Sequence, residues 1–115
     1  MATTALPLRM RLPVCAHNGG LFVSRGQGIH PTRTLDSHEL IFVREGRLGM
    51  QEEGRSFDLG PGETLLLFPG RQHGGTGSYP KDLRFYWVHF TVENARQRTA
   101  SAYGMAVPQA EAVRA

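Results

Sequence analysis

Cysteine is almost missing from this sequence: Cys15 stands alone. That excludes an internal disulfide framework and any Cys-x-x-Cys metal or redox motif. Lysine is nearly missing as well, with Lys81 against twelve arginines, and those arginines are scattered singly along the chain. Nucleic-acid-binding surfaces concentrate positive charge on one face, so the net charge of +3 reads as solvated surface. No apolar run exceeds four residues, as in Leu65-Leu66-Leu67-Phe68, far short of the ~18 residues of a membrane span. Arg9 and Arg11 interrupt the short apolar stretch that would have to be the core of a secretory leader. The expected location is therefore the cytoplasm. Hydrolase and nucleotide motifs are lacking too. Ser24, Ser37, Ser56 and Cys15 lie in no Gly-x-Ser-x-Gly setting, and no phosphate-cradling glycine loop occurs.

What the chain does have is 14 glycines and 7 prolines in 115 residues, with 40% apolar residues. One domain fits this length, since domains mostly run ~50–200 residues. So many turn formers point to many short strands rather than to a helical bundle. The strongest segment, His38 to Glu45, is β-branched and aromatic and stops at Gly46. Arg47 to Gln51 and Ser56 to Leu59 alternate with period two on either side of a hairpin turn at Glu52-Glu53-Gly54-Arg55. Thr64 to Phe68 reads as a buried strand ended by Pro69-Gly70, and Leu83 to Val92 as a long strand. Leu21-Phe22-Val23 suggests one short strand, and Arg71 to Gly77 reads as a glycine-rich loop. Residues 1–13 read as a flexible arm, and 14–115 as one domain. Glu93 to Ala102 reads as a loop or helical turn, and Ala106-Val107 and Ala112-Val113 are weak strand signals. Turn signals every ~8–12 residues fit an all-β sandwich or barrel with little or no helix, which can hold one small ligand inside.

Two stretches resemble the cupin pattern. Glu39, followed after six residues by Gly46, matches the second half of the first cupin motif. Gly62, Gly70 and His73 fall at the intervals of the second motif, with Phe68 at its proline position and Gly77 at its asparagine. The motif-one histidines would fall at Arg33 and Leu35, or at Thr32 and Thr34. Only Glu39 and His73 therefore survive from the family's four metal ligands, and a catalytic metal needs three or more. No metal and no other cofactor is expected, unless His30 or His38 substitutes from another direction. His38 neighbours Glu39 on a strand and so points to the opposite face.

The run from His30 to Phe90 is similar, more narrowly, to the N-terminal sensor domain of AraC-type transcription regulators. Glu39-Leu-Ile-Phe-Val, Pro61-Gly-Glu-x-Leu-Leu-Leu-Phe-Pro-Gly-x-x-His73 and Phe85-Tyr-Trp-Val-His-Phe90 occur in that family's order and spacing. The resemblance implies a small cupin-type β-barrel (a jelly roll, or double-stranded β-helix) that binds a small-molecule effector, often a sugar, and performs no catalysis. It also implies a homodimer, although the family's dimerisation helices come later than this chain reaches. DNA contact would be made only through a C-terminal helix-turn-helix domain, for which the 23 residues after Val92 are too few. The chain is thus expected to be a sensor fragment, with no membrane partner.

Five residues carry the expected ligand site. Strand alternation places Leu83, Phe85, Trp87 and His89 on one face and Arg84, Tyr86, Val88 and Phe90 on the other. The resemblance assigns Trp87 to stacking on the ligand, the alternative being that it fills the barrel. Phe85 stands where the family's sugar binder has a hydrogen-bonding histidine, which favours a less polar ligand. Arg33 is placed near the family's ligand-binding arginine, or else is an exposed arginine. His73 is either a ligand contact or a rim histidine bonded to backbone. The cupin resemblance aims Glu39 inward, where it needs a partner such as Arg33 or a ligand hydroxyl; a register slip of one would make it a surface charge. Gly74 and Gly75 either open space or make a flexible turn. Two rival functions remain: a small cupin metalloenzyme using Glu39, His73 and one of His30, His38 or His89, and a bare dimerisation or lectin-like module.

Overall fold

A computed structural model of the chain describes residues 5–9, 14–92 and 104–112. All regular structure among them is strand, as the turn spacing predicts. Strands β1 (Ala5–Arg9), β2 (Val14–Val23), β3 (Arg33–Thr34), β4 (His38–Glu45), β5 (Leu48–Glu52) and β6 (Arg55–Leu59) come first. They are followed by β7 (Glu63–Leu67), β8 (Gln72–Gly75), β9 (Arg84–Val92), β10 (Gly104–Pro108) and β11 (Ala110–Ala112). One antiparallel sheet has the order β11-β7-β4-β9-β2, a second β3-β8-β5-β6, and β1 pairs with β10.

Alternation along each strand builds the core. Ile41 and Val43 of β4, Leu48 and Met50 of β5, Leu59 of β6, Leu65 and Leu67 of β7, and Leu83 and Phe85 form one buried cluster drawn from both sheets. The same alternation on β4 leaves Leu40 and Arg44 exposed. Register then sets what lies beside Glu39: across β4 it is opposite Leu67 on one side and His89 on the other. His38 points the other way, as expected, and stacks on Phe90 at 5.0 Å between ring centroids.

Two turns show why their residues are needed. Gly46, between β4 and β5, has φ +78°, and a Cβ there would lie 2.7 Å from the Leu83 backbone. Only glycine accommodates both conditions. Glu53 and Gly54 both have positive φ, 49° and 82°, the signature of the two-residue type I′ hairpin loop that suits twisted strands. Glu53 tolerates this conformation with its carboxylate accepting from the Gln72 backbone N–H at 2.7 Å.

Beneath that hairpin lies a buried acid. The Glu52 carboxylate accepts from the Phe68 N–H at 2.8 Å, from Gln109 Nε2 at 2.6 Å and from Arg71 Nη1 at 3.3 Å. Gln109 Nε2 also donates to the Leu66 carbonyl at 2.9 Å, and the Gln109 backbone carbonyl accepts from the Leu66 N–H at 2.7 Å. One carboxylate thus ties β5 to the end of β7 and to the segment entering β11.

Four local expectations differ from what is found. The glycine-rich stretch read as a loop contains β8, paired with both β3 and β5. Strand β2 begins at Val14, well before the Leu21-Phe22-Val23 signal, because it pairs along the whole length of β9. Ala5–Arg9, inside the segment read as a flexible arm, pairs with β10 over five residues. Arg33, on a stretch read as a polar turn, lies in β3 opposite His73. The stretch 93–102 lies outside the described residues.

Candidate functional site

The site begins with two glycines. A Cβ at Gly75 would meet the His30 backbone nitrogen at 3.0 Å and Ile29 Cγ1 at 2.8 Å, and one at Gly74 would collide with the Thr32 hydroxyl. With no side chains there, the segment from Ile29 to Thr32 lies directly on β8. The Gly75 N–H donates to the His30 carbonyl at 3.0 Å. This close approach carries His30 to within 5.6 Å of His73 between ring centroids. Gly74 and Gly75 therefore neither open space nor make a loose turn; they admit a neighbouring backbone.

Between the sheets lies a pocket of about 310 Å³, lined by Asn18, Phe22, His30, Pro31, Arg33, Glu39, Tyr79, Phe85, Trp87 and His89. One wall is aromatic. Phe22 packs on Tyr79 at 4.6 Å and on Phe85 at 5.0 Å. Trp87 lies across Gly20, its register partner on β2, where a Cβ would press against the indole at 3.3 Å. The other wall is polar. Arg33 Nη2 is 3.8 Å from Glu39 Oε1, His73 Nε2 is 3.6 Å from that oxygen, and His89 Nε2 is 3.7 Å from Glu39 Oε2.

Those separations exceed hydrogen-bond length. Glu39 Oε1, Arg33 Nε and both ring nitrogens of His73 are buried without a hydrogen-bond partner. Buried polar groups nearly always have one, and each exception calls for a reason. Burial raises the Glu39 carboxyl above its ordinary pKa, against the pull of Arg33. Burial, followed by repulsion from His30 and Arg33, brings His73 down to about 4. His30 and His89 are lowered mainly by burial. At neutral pH the imidazoles are uncharged and Arg33 is the cation facing Glu39.

In the ligand-free protein, Glu39→Gln removes a buried charge that lacks a hydrogen bond at one oxygen. It is expected to raise the stability of the empty domain by about 1 kcal/mol. Urea denaturation at neutral pH measures this; a loss of stability would show that the Arg33 pair holds the fold.

Of the five residues expected from the sequence, Arg33, Glu39, Phe85 and Trp87 line the pocket, while His73 stands beside Glu39. Glu39 points inward, at 2% exposure, so the alternative of a surface charge is removed. Sequence reasoning missed Asn18, Phe22, Pro31 and Tyr79 as lining residues and named His30 only as a substitute metal ligand from another direction. The pair Gly74-Gly75 was the available signal for His30, since adjacent glycines in a strand mark the close passage of another backbone.

Three comparisons bear on what this arrangement belongs to. An uncharacterised HTH-type transcriptional regulator of Bacillus subtilis, YisR, is 34% identical over 76 residues, covering 61% of this chain and 26% of that protein. The chain thus spans about a quarter of that regulator's length. Among solved structures, the plu4264 protein of Photorhabdus luminescens is similar with a TM-score of 0.56 and 16% identity, covering 77% of this chain and 74% of that one. A proposed mannose-6-phosphate isomerase of Ralstonia eutropha has a TM-score of 0.57 and 20% identity, covering 79% and 86%. The structural likeness is one of fold, the small all-β cupin type. The family model for the AraC-like ligand binding domain matches residues 22–113, which include most of the pocket, and the chain belongs to that family.

Proposed function

We propose that the chain is the sensor of an AraC-type transcription regulator, taking a small cyclic effector into the pocket between its sheets. One observation carries the reading: an aromatic wall facing buried polar groups that lack partners. Ligand sites combine a mostly apolar lining with a few placed polar groups. The indole of Trp87 offers a flat face to the C–H surface of a ring. Arg33, through a fork geometry suited to carboxylates and hydroxyls, and Glu39, as an acceptor, would hold the ring's oxygens. Phe85 cannot hydrogen-bond, which favours a ring with one apolar edge over a fully hydroxylated sugar. DNA binding belongs to a separate helix-turn-helix part of a longer regulator, and effector binding here would control it. Homodimerisation and a cytoplasmic location are part of the same proposal. Among the described residues no helix is long and apolar enough to cross a membrane.

This role is binding without chemistry. Support comes from the family match and the regulator relative, and from the lack of a nucleophile–base motif in the sequence. The test is a thermal-shift panel of monosaccharides, cyclic polyols and small ring carboxylates. A ligand present at 100 times its Kd stabilises a fold by about 2.7 kcal/mol, which is readily seen. A panel in which nothing shifts the melting temperature favours the bare interaction module instead.

A further inference from the structure

We propose that His30, Glu39 and His73 bind a divalent first-row transition-metal ion of the Zn2+ class, with an open coordination position toward the effector pocket. The inference rests on the effector reading only in placing that open position in the same pocket. One potential ligand atom from each of the three side chains lies within 4.8 Å of the others, and all three residues are buried. The His73 Nε2 to Glu39 Oε1 separation is 3.6 Å. Bonds of about 2.0–2.1 Å to a tetrahedral ion set adjacent ligand atoms ~3.3 Å apart, so this pair needs little movement.

Partner counting points the same way. Glu39 Oε1 and both ring nitrogens of His73 lack a hydrogen bond. An ion between them would satisfy the oxygen and one nitrogen together. His30 has the outer contact that a ligand histidine needs. Its Nδ1 lies 3.0 Å from the Pro31 carbonyl; an N–H donated there leaves the lone pair on Nε2, the usual outer support of a metal-bound histidine. Two imidazoles and one carboxylate suit zinc and its first-row neighbours, whereas calcium and magnesium take oxygen ligands.

Arg33 opposes the ion. Its Nη2 is 3.8 Å from Glu39 Oε1, and its side chain is 39% exposed. A bound cation would displace this guanidinium from the carboxylate toward the effector or solvent. Arg33 is therefore a competitor for Glu39, and its removal should strengthen metal binding. His89, with Nε2 3.7 Å from Glu39 Oε2, is a source of a further imidazole nitrogen beside the carboxylate.

The experiment titrates the metal-free chain with Zn2+ against a chromophoric chelator, and with Co2+ for its visible spectrum. The expected result is one equivalent per chain, with Co2+ bands of a low-coordinate nitrogen and oxygen site. Glu39→Gln and His73→Ala should each weaken binding by at least about tenfold. Arg33→Met should tighten it several-fold, and His38→Phe, on the opposite face of β4, should match the wild type. Glu39→Gln keeps the test decisive where His73→Ala fails to fold, because it is expected to be the more stable protein. No stoichiometric uptake by the wild type, or Glu39→Gln binding as tightly as wild type, overturns the inference. Trp87 fluorescence with organic compounds and no metal reads the effector site separately. A response there without Zn2+ uptake would remove the metal and leave the sensor reading standing.

Discussion

Glu52→Ala is expected to destabilise the fold by about 3 kcal/mol, the range for removing one partner of a buried, hydrogen-bonded charge network. The carboxylate is 3% exposed and gathers three donors from three parts of the chain. Deleting it orphans the Phe68 N–H and takes from Gln109 one of its two Nε2 contacts. Arg71 loses less, since its side chain is 45% exposed and keeps Phe68 beneath its guanidinium at 4.8 Å. The segment entering β11 should loosen first, because Gln109 is its link to Glu52. Glu52→Gln should recover part of the loss, having kept an acceptor of the same shape. Urea denaturation of the three proteins measures the order; equal midpoints for wild type and Glu52→Ala would mean the network adds nothing net.

Trp87→Ala is expected to weaken effector binding by at least ~30-fold, the ~2 kcal/mol typical of an anchoring tryptophan. Removing the indole leaves a gap beside Gly20, where no side chain can collapse into the space. Trp87→Phe should restore much of the affinity by keeping a ring against the ligand. The folding cost of Trp87→Ala should be smaller than that of Glu52→Ala, because Trp87 is only half-buried and packs at the margin of the core. Thermal shift by a panel ligand, compared across the three proteins, separates lost binding from lost stability.

The residues that could be read correctly from sequence are those whose signal is local. Strand β9 is legible as a run dense in β-formers, and strand geometry then puts Phe85, Trp87 and His89, with Leu83 just before the strand, on one face. The resemblance of the Glu39-to-Gly46 stretch to the cupin pattern implies an inward acid, and Glu39 is buried at 2% exposure. The residues that could not be read depend on contacts distant in the chain. Strand β8 is half glycine, with no propensity to announce it; it is a strand because β3 and β5 pair with it. Strand β1 is ordered by β10, near the opposite end of the sequence. His30 follows no motif, and becomes a neighbour of His73 only because Gly74 and Gly75 let its backbone lie on β8. Phe22 reads as part of a strand but not of the pocket, since the all-apolar run Leu21-Phe22-Val23 does not show which face is inward; its pairing with Phe85 on β9 decides that.

Trp87 is the single tryptophan of the sequence, so intrinsic tryptophan fluorescence reports on the pocket wall alone. Titrating the purified chain with the ring compounds that raise its melting temperature is the most direct test of the sensor reading. The predicted result is a saturable change in emission at one ligand per chain, weakened at least severalfold by Arg33→Met. A compound that stabilises the protein while leaving Trp87 emission unchanged, or a panel that produces no change at all, would contradict it.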